Sequence, residues 1–493
     1  MLRKALPAVV LLAGIAVIIA AQFSIPTLFG ADGYLHIRMA EFLRDLGPRY
    51  DFHWTRYSIF AERFADKDFL YHAAMIPFTF FDDIFFGAKL AACCGALGLF
   101  AGFIVILRRY CTTGLLCGLG VVFFLSSSFL QAISRPRPMV VVMLLSLLFI
   151  HNLIRRRHLA LFGISLAYAL MHVSGPLLLV FALMGEGVRF AAEGTFDRKT
   201  LLFVTLGVAA GFLGHPNFPH NVLVFYLNGI LVPLFAFKWG LELGAEFFPL
   251  DMRSFALAYP WVLIGFLVFA VAAVSRGNKI STATRVWMAF AGSFFILSFF
   301  SRRYAAHCYP VFLTALGAYI TDWWAGGRRL ALVQRKVILR YICVILLVAA
   351  LGLSARSTFR RFQEVRQAER AYNGHYEYVG RWIRDHVPPG ETIFHANWSD
   401  SQFFIGLSPE HDYFVTLDPI YLYYWNKELY HLYREVAFGR NPDPYTVLRE
   451  VFDVRYGYAG ADYFSGLIRQ VKSDPRFEVM AENRRGVFFR LKG

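Results

Sequence analysis

The sequence is 493 residues long, 57% hydrophobic and 17% aromatic, with 51 phenylalanines and only 17% charged residues. A soluble protein carries about a quarter charged residues, so this balance excludes a simple soluble enzyme, a disordered chain and a fibrous repeat and indicates a polytopic membrane protein. The formal charge of +16, from 50 Lys and Arg against 34 Asp and Glu, fits cytoplasmic anchoring loops and anionic membrane lipids; no helix-turn-helix, zinc-finger or RNA-binding signature directs it to nucleic acid.

A spanning helix needs roughly 20 mostly apolar residues. In chain order the candidates are 5–23, 84–107, 112–132, 138–154, 158–172, 174–190, 199–213, 254–275, 283–300, 304–324 and 337–355, eleven in all. The fifth and sixth are divided only by His172-Val173-Ser174-Gly175-Pro176. The first follows Met-Leu-Arg-Lys, but Gln22-Phe23-Ser24-Ile25-Pro26 makes a poor cleavage site, so the segment reads as a span and not as a removed signal. Cys93, Cys94, Cys111, Cys117, Cys308 and Cys343 all fall in or beside these stretches and read as small hydrophobes.

Alternate loops differ in charge. One set carries Arg3, Lys4, Arg108, Arg109, Arg155, Arg156, Arg157, Arg189, Arg198, Lys199, Arg276, Lys279, Arg285, Arg328, Arg329, Arg335, Lys336 and Arg340; the short loops of the other carry only Arg135, Arg137, Lys238, Arg253, Arg302 and Arg303. This asymmetry predicts a cytoplasmic N-terminus and an extracytoplasmic C-terminal region. The membrane domain is therefore expected over 1–355, with a first external loop at 24–83 and an external re-entrant or interfacial loop at 214–253. In that second loop Asn228, Gly229 and Pro233 interrupt the apolar run.

Beyond residue 356 aliphatic runs give way to mixed segments. An amphipathic helix from His375 precedes the turn Pro388-Pro389-Gly390 and a strand from Glu391 to Ala396. Further strands are predicted at 413–417, 454–458 and 477–491, with helices near 420–437, 444–452 and 462–473. The alternation predicts a soluble extracytoplasmic α/β domain over 356–493.

Ionisable groups at membrane depth are costly and mark function by default. In this topology Asp32, His36, Asp66, Asp68, His72, Arg135, Arg137, His172, His215, His220, Arg302, Arg303 and His307 all gather at the external ends of the spans. The cytoplasmic loops hold cations with few acids or histidines, as passive anchors do. The sharpest stretch begins Asp32-Gly33-Tyr34-Leu35-His36-Ile37-Arg38 and runs to Leu46-Gly47. Asp32 follows the first span, and a helix starting there places His36 one turn on, on the same face.

An Asp directly after the first span, followed by an aromatic and an Arg-containing external helix, resembles the membrane glycosyltransferases of the GT-C superfamily, and among them the oligosaccharyltransferase catalytic subunit. Many spans, a long first external loop and a C-terminal external α/β domain extend the resemblance. Trp398-Ser399-Asp400 follows the first strand of that domain, where the resembled enzyme carries Trp-Trp-Asp-Tyr-Gly. The second Trp and the Tyr-Gly are absent here, and the second external loop reads Ser134-Arg135-Pro136-Arg137-Pro138 with no Asp-x-Asp.

The resemblance implies an inverting transfer of sugar from a polyprenyl-phosphate or -diphosphate donor to a glycan, lipid or protein acceptor on the extracytoplasmic face. Such chemistry needs a carboxylate to orient and deprotonate the acceptor and positive charge for the departing phosphate. Asp32 takes the first role. Arg135, Arg137, Arg302 and Arg303 offer planar donors for phosphate oxygens, and His36, His215, His220, Trp398 and Asp400 complete the expected substrate-binding set. Asp32, Asp66, Asp68 and His72 offer a divalent-metal set, with Mg²⁺ or Mn²⁺ suited to the carboxylates and Zn²⁺ the second choice for the imidazoles; a solvated loop accounts for Asp66-Lys67-Asp68 equally well. No organic cofactor is expected. A lipid-linked-sugar transporter or flippase and a non-catalytic membrane assembly protein are the competing classes. The localisation expected is a prokaryotic inner or plasma membrane.

Overall fold

A computed structural model describes residues 2–274, 280–325 and 337–493. Of the cationic anchors, Arg276, Lys279, Arg328, Arg329, Arg335 and Lys336 lie outside the described residues. The described residues are mostly helical, with one small sheet among them near the C-terminus. Helices cover the apolar stretches: Leu2–Gln22, Ile84–Leu107, Thr113–Val122 with Ser127–Ser134, Met139–Ile154, His158–Met171, Leu177–Glu193, Arg198–Leu213, Met252–Ala258 with Pro260–Val274, Thr282–Ser298, Arg303–Ala325 and Val337–His386.

Two of these stretches are bent where a continuous helix was expected. The pair within 113–134 turns by 80° and the pair within 252–270 by 100°. Each break frees backbone carbonyls that apolar surroundings cannot hydrate, and side chains supply the donors. Tyr309 Oη donates to Val122 O at 2.6 Å, and Ser126 Oγ donates to Ala258 O at 2.7 Å while accepting from Phe129 N. By length and composition two described helices, Ile84–Leu107 and His220–Trp239, suffice to cross a membrane, or up to four if each bent pair is one span.

His220–Trp239 differs from the interrupted segment read in the sequence. The helix continues through Asn228 and Gly229 because a π-turn at Tyr226–Leu231 absorbs them, and Pro233 falls at the start of the following α-helical turn, where its missing N–H costs little. Val337–His386 is likewise one helix of 50 residues with no break at 356, and it stops at Pro388-Pro389.

The chain packs as two compact units. One comprises Met1–Pro26, Lys89–Phe212 and Gly244–Ala368; the other comprises Thr27–Ala88, Leu213–Leu243 and Glu369–Gly493. In the first, Gly207 and Gly211 sit four residues apart where a Cβ would strike the Phe162 carbonyl and Ala169, so small residues let helix Arg198–Leu213 lie directly on His158–Met171. The same unit buries the pair Glu186–Arg189, at 2.6 Å with Glu186 0% and Arg189 4% exposed.

The second unit holds the sheet. Its strands are β1 Thr392–His395, β2 Asp412–Tyr413, β3 Tyr456–Gly460, β4 Phe477–Asn483 and β5 Gly486–Leu491, in the order β2-β1-β3-β5-β4. β1 runs parallel to β2 and β3, whereas β5 is antiparallel to β3 and β4. The stretch read as one strand over 477–491 is a hairpin turning at Arg484-Arg485, and the helix read over 420–437 is split into Pro419–Trp425 and Lys427–Ala437 by Asn426, whose side chain caps Leu429 N. The strand read over 413–417 is shorter than expected, and its continuation places Leu417 in the left-handed region at φ 64°.

Candidate active site

All residues of the first cluster belong to the second unit. Helix Asp32–Leu46 begins at Asp32, as the sequence implied. The first turn of a helix favours an anionic side chain by about 0.3–1 kcal/mol. The segment leading into it is clamped by three residues one turn apart on a single face of helix Val337–His386. Glu369 Oε2 accepts from Gly30 N at 2.9 Å, Asn373 Nδ2 donates to Leu28 O at 2.7 Å, and Glu377 Oε1 accepts from Tyr34 Oη at 2.5 Å. Tyr34 Oη in turn accepts from Leu28 N. Gly30 takes φ 75°, a conformation that suits glycine. The partly exposed Asp32 is thus carried on a fixed backbone.

His36 lies one turn beyond Asp32 and is buried. Its Nδ1 is 2.8 Å from His72 Nε2, and His72 Nδ1 is 2.6 Å from Asp66 Oδ2. Asp66 is itself fixed: its Oδ1 accepts from Asp68 N, its N donates to Asn217 Oδ1, and its carbonyl accepts from His215 Nε2 at 3.0 Å. Because Asn217 N donates to His215 Nδ1, His215 is neutral and carries its proton on Nε2; burial lowers its pKa. Burial also pulls His72 down, but the charge and hydrogen bond of Asp66 outweigh it and leave the imidazole above its ordinary value. Burial pushes Asp68 up to about 6, with Lys67 and His72 opposing and Asp66 and Asp32 reinforcing. The structure therefore brings Asp32, His36, Asp66, Asp68, His72 and His215 into one neighbourhood. His220, half-buried, opens the helix His220–Trp239.

This arrangement bears on the metal reading of Asp32, Asp66, Asp68 and His72. Among the described residues no group of three or more His, Cys, Asp or Glu side chains is placed to hold a metal ion. The reason is visible at His72, whose two ring nitrogens are spent on Asp66 and His36, leaving no lone pair for Mg²⁺, Mn²⁺ or Zn²⁺. The donor set as placed does not fit such an ion.

The arginines belong to the first unit. Arg135 and Arg137 follow helix Ser127–Ser134, and Arg302 and Arg303 open helix Arg303–Ala325. Arg303 Nη2 donates to Glu246 Oε1 at 3.0 Å with its guanidinium 4.3 Å from the Phe247 ring centroid. Arg302 bonds Phe248 O through its backbone and Pro249 O through Nε. Burial raises the Glu246 pKa, but Arg303 and Arg137 outweigh it and hold the carboxyl at about 2. Arg302 and Arg303 thus have a fixed geometry, and Arg137 and Arg303 share Glu246 as an anionic partner.

Trp398 and Asp400 fall elsewhere in the second unit, after β1. Trp398 is half-buried, and Asp400 is 1% exposed, its Oδ1 accepting from Tyr376 Oη at 2.7 Å and its Oδ2 buried without a hydrogen bond. Burial pushes this carboxyl up to about 8, and the single Tyr376 bond does not offset it. A raised acid pKa favours the folded state below the unfolded value and loses that contribution as pH climbs to the folded value. The wild type should therefore melt several degrees lower at pH 8.5 than at pH 5, for roughly 4 kcal/mol, about 1.4 kcal/mol for each pH unit between pH 5 and the folded value, and Asp400→Asn should flatten that dependence in a thermal scan.

Sequence reasoning passed over Lys89. Its side chain is buried, and Nζ donates to Ile25 O at 2.7 Å and Pro26 O at 2.6 Å, satisfying the carbonyls where the first helix has ended. A lone lysine in the apolar helix Ile84–Leu107 was the available signal. The clamp at Glu369, Asn373 and Glu377 left only an i, i+4, i+8 spacing on a polar helix, which charge patterning alone also produces.

No protein-family model and no curated protein matches the chain. Solved structures do. An Archaeoglobus fulgidus oligosaccharyltransferase in its apo form superposes with a TM-score of 0.65 at 13% identity, covering 93% of this chain and 70% of its own. ArnT from Cupriavidus metallidurans bound to undecaprenyl phosphate gives 0.62 at 12% identity, covering 98% and 97%. The arabinofuranosyltransferase AftD from Mycobacteria gives 0.52 at 15% identity, covering 98% of this chain and 40% of its own. At these identities the likeness is one of fold, and the chain has the fold of the GT-C glycosyltransferases.

Proposed function

We propose that the chain is an integral-membrane glycosyltransferase that takes a sugar from a polyprenyl-phosphate or -diphosphate donor and passes it, with inversion, to an acceptor on the extracytoplasmic face. The observation that carries this reading is the full-length likeness to an enzyme bound to undecaprenyl phosphate, joined to a carboxylate and histidine cluster at Asp32. An Archaeoglobus fulgidus relative in fold is solved with dolichol-phosphate and an inhibitory peptide. The topology belonging to this reading has eleven spans, a cytoplasmic N-terminus, the residues from 356 outside the membrane, and a prokaryotic inner membrane as its setting.

In the mechanism Asp32 accepts a hydrogen bond from the acceptor O–H or N–H and orients its lone pair toward the anomeric carbon. The new glycosidic bond forms as the bond from anomeric carbon to phosphate oxygen breaks, and the leaving polyprenyl phosphate keeps the electron pair. Arg135, Arg137, Arg302 and Arg303 are the groups assigned to the growing phosphate charge. The acceptor proton passes to Asp32, and the chain His36–His72–Asp66, starting one turn away, provides a route that holds it. Substrate contacts are assigned to His36, His215, His220, Trp398 and Asp400 alongside the arginines.

The test is transfer itself. Purified protein reconstituted in liposomes, incubated with lipids extracted from its own membrane, should co-purify with a polyprenyl phosphate sugar visible by mass spectrometry. It should also consume that species when acceptor-containing extract is added. A protein that carries only sugar-free lipid and consumes none defeats the reading.

A further inference from the structure

Helix Asp32–Leu46 carries two pairs of side chains on two different faces. Asp32 and His36 are one turn apart and lead into the histidine chain. Tyr34 and Arg38 are also one turn apart, but at about 100° per residue they stand about 200° around the axis from the first pair. This second face rests on helix Asp400–Leu407, and both of its residues meet that helix at Gly406.

Arg38 Nε and Nη2 both donate to Gly406 O, at 3.1 and 2.9 Å, while Nη1 pairs with Glu41 on the Arg38 side. The Gly406 carbonyl lies in the last turn of its helix, where intrahelical donors have run out, and the guanidinium takes their place. Tyr34 meets Gly406 through its backbone. A Cβ added at Gly406 would stand 2.7 Å from Tyr34 Cβ, 2.7 Å from its carbonyl oxygen and 2.8 Å from its carbonyl carbon, none of which can swing aside. The seat is itself held. Phe403, one turn back, lies between the rings of Tyr34 at 5.1 Å and Tyr376 at 4.3 Å, and Tyr413 Oη donates to Phe404 O and Ser408 O on either side of Gly406.

Interdigitated side chains hold two helices together with some latitude; direct backbone contact leaves almost none. Ordinary contact begins at 3.4 Å, so Gly406→Ala must displace the Asp32 helix by about 1 Å, and a displacement of about 1 Å can slow a reaction about 100-fold. We propose that Gly406 and Arg38 are positioning residues of the transfer reaction. Together they set the rotation and depth of helix Asp32–Leu46, and through it the aim of Asp32 at the acceptor and of His36 at His72. The inference rests on the glycosyltransferase reading above with Asp32 as its base, and it assigns neither residue a contact to substrate.

The experiment uses the full chain in nanodiscs. Mass spectrometry follows consumption of the co-purified sugar lipid after acceptor-containing extract is added at several dilutions, and binding of undecaprenyl phosphate is measured on the same samples. Gly406→Ala should slow transfer at saturating extract about 100-fold. Arg38→Gln leaves the backbone contact but removes the guanidinium and should slow it about 10-fold, with Arg38→Lys, which keeps the charge and one donor route, in between. Undecaprenyl phosphate should bind every variant within about twofold of wild type, and the extract dependence should not shift. Each substitution is then repeated on Asp32→Asn, with incubations long enough to read its residual rate. There the further loss should shrink to within about twofold, because a base that is absent cannot be misaimed, whereas structural damage would multiply. Multiplied losses on Asp32→Asn, parallel loss of undecaprenyl phosphate binding by the Arg38 variants, or wild-type rates throughout overturn the assignment and leave the glycosyltransferase reading standing. A wild type that consumes no sugar lipid overturns both.

Discussion

Asp32→Asn should lower sugar transfer by about two to four orders of magnitude, the usual worth of a positioned acid or base, or about 2.7–5.5 kcal/mol of transition-state stabilisation. The substitution keeps the side chain's shape and removes only its basicity. The backbone around it is held by contacts that do not involve the carboxylate: Gly30 on Glu369, Leu28 on Asn373 and Tyr34 on Glu377. Donor affinity and melting temperature should consequently stay near wild type, so the loss appears in kcat and not in lipid binding. His72→Gln provides the contrast. It breaks the contacts to both Asp66 and His36 without touching the proposed base, and it should slow transfer less than Asp32→Asn does. Steady-state rates with the co-purified donor decide the matter; an Asp32→Asn enzyme turning over at the wild-type rate removes this residue from the chemistry.

The positions of the apolar helices were legible in the sequence because a run of about 20 apolar residues has few other fates. The breaks within them were not. Phe123-Phe124-Leu125-Ser126 reads as apolar continuation, and the donor that meets the freed Val122 carbonyl is the distant Tyr309, while Ser126 meets the Ala258 carbonyl at the second bend. Asp32 at the head of a helix was legible from its place after the first apolar stretch, and so was the gathering of acids and histidines in the same loops. The pairings were not, since His36 and His72 lie 36 residues apart and Asp418 meets Asn228 across 190. Local spacing carries no information at such separations, so the hydrogen-bonded chain His36–His72–Asp66 could not be read from it. The left-handed Leu417 was hidden for a different reason, because nothing about leucine announces a conformation it disfavours.

Arg189→Met should destabilise the protein by about 3–5 kcal/mol, because it strands the Glu186 carboxylate at a buried position. Glu186 Oε1 takes the Arg189 guanidinium at 2.6 Å, and Oε2 takes Asp197 N at 2.9 Å. The same guanidinium also donates to Leu153 O at 3.0 Å and Ile154 O at 3.2 Å, closing the end of helix Met139–Ile154. A charge-counting view of topology treats Arg189 as one more cytoplasmic anchor reaching for headgroups, and on that view lysine would serve as well. The geometry requires otherwise, since an ammonium lacks the planar fork that reaches a carboxylate and two carbonyls together. Arg189→Lys should therefore also lose stability, by an amount between wild type and Arg189→Met. Removing both charges as Glu186→Leu with Arg189→Met should restore most of the loss, because buried pairs exchange for apolar residues at little net cost. Thermal aggregation scans of the four proteins in one detergent read these differences directly. If Arg189→Met melts with the wild type, the pair is hydrated and Arg189 is an anchor after all.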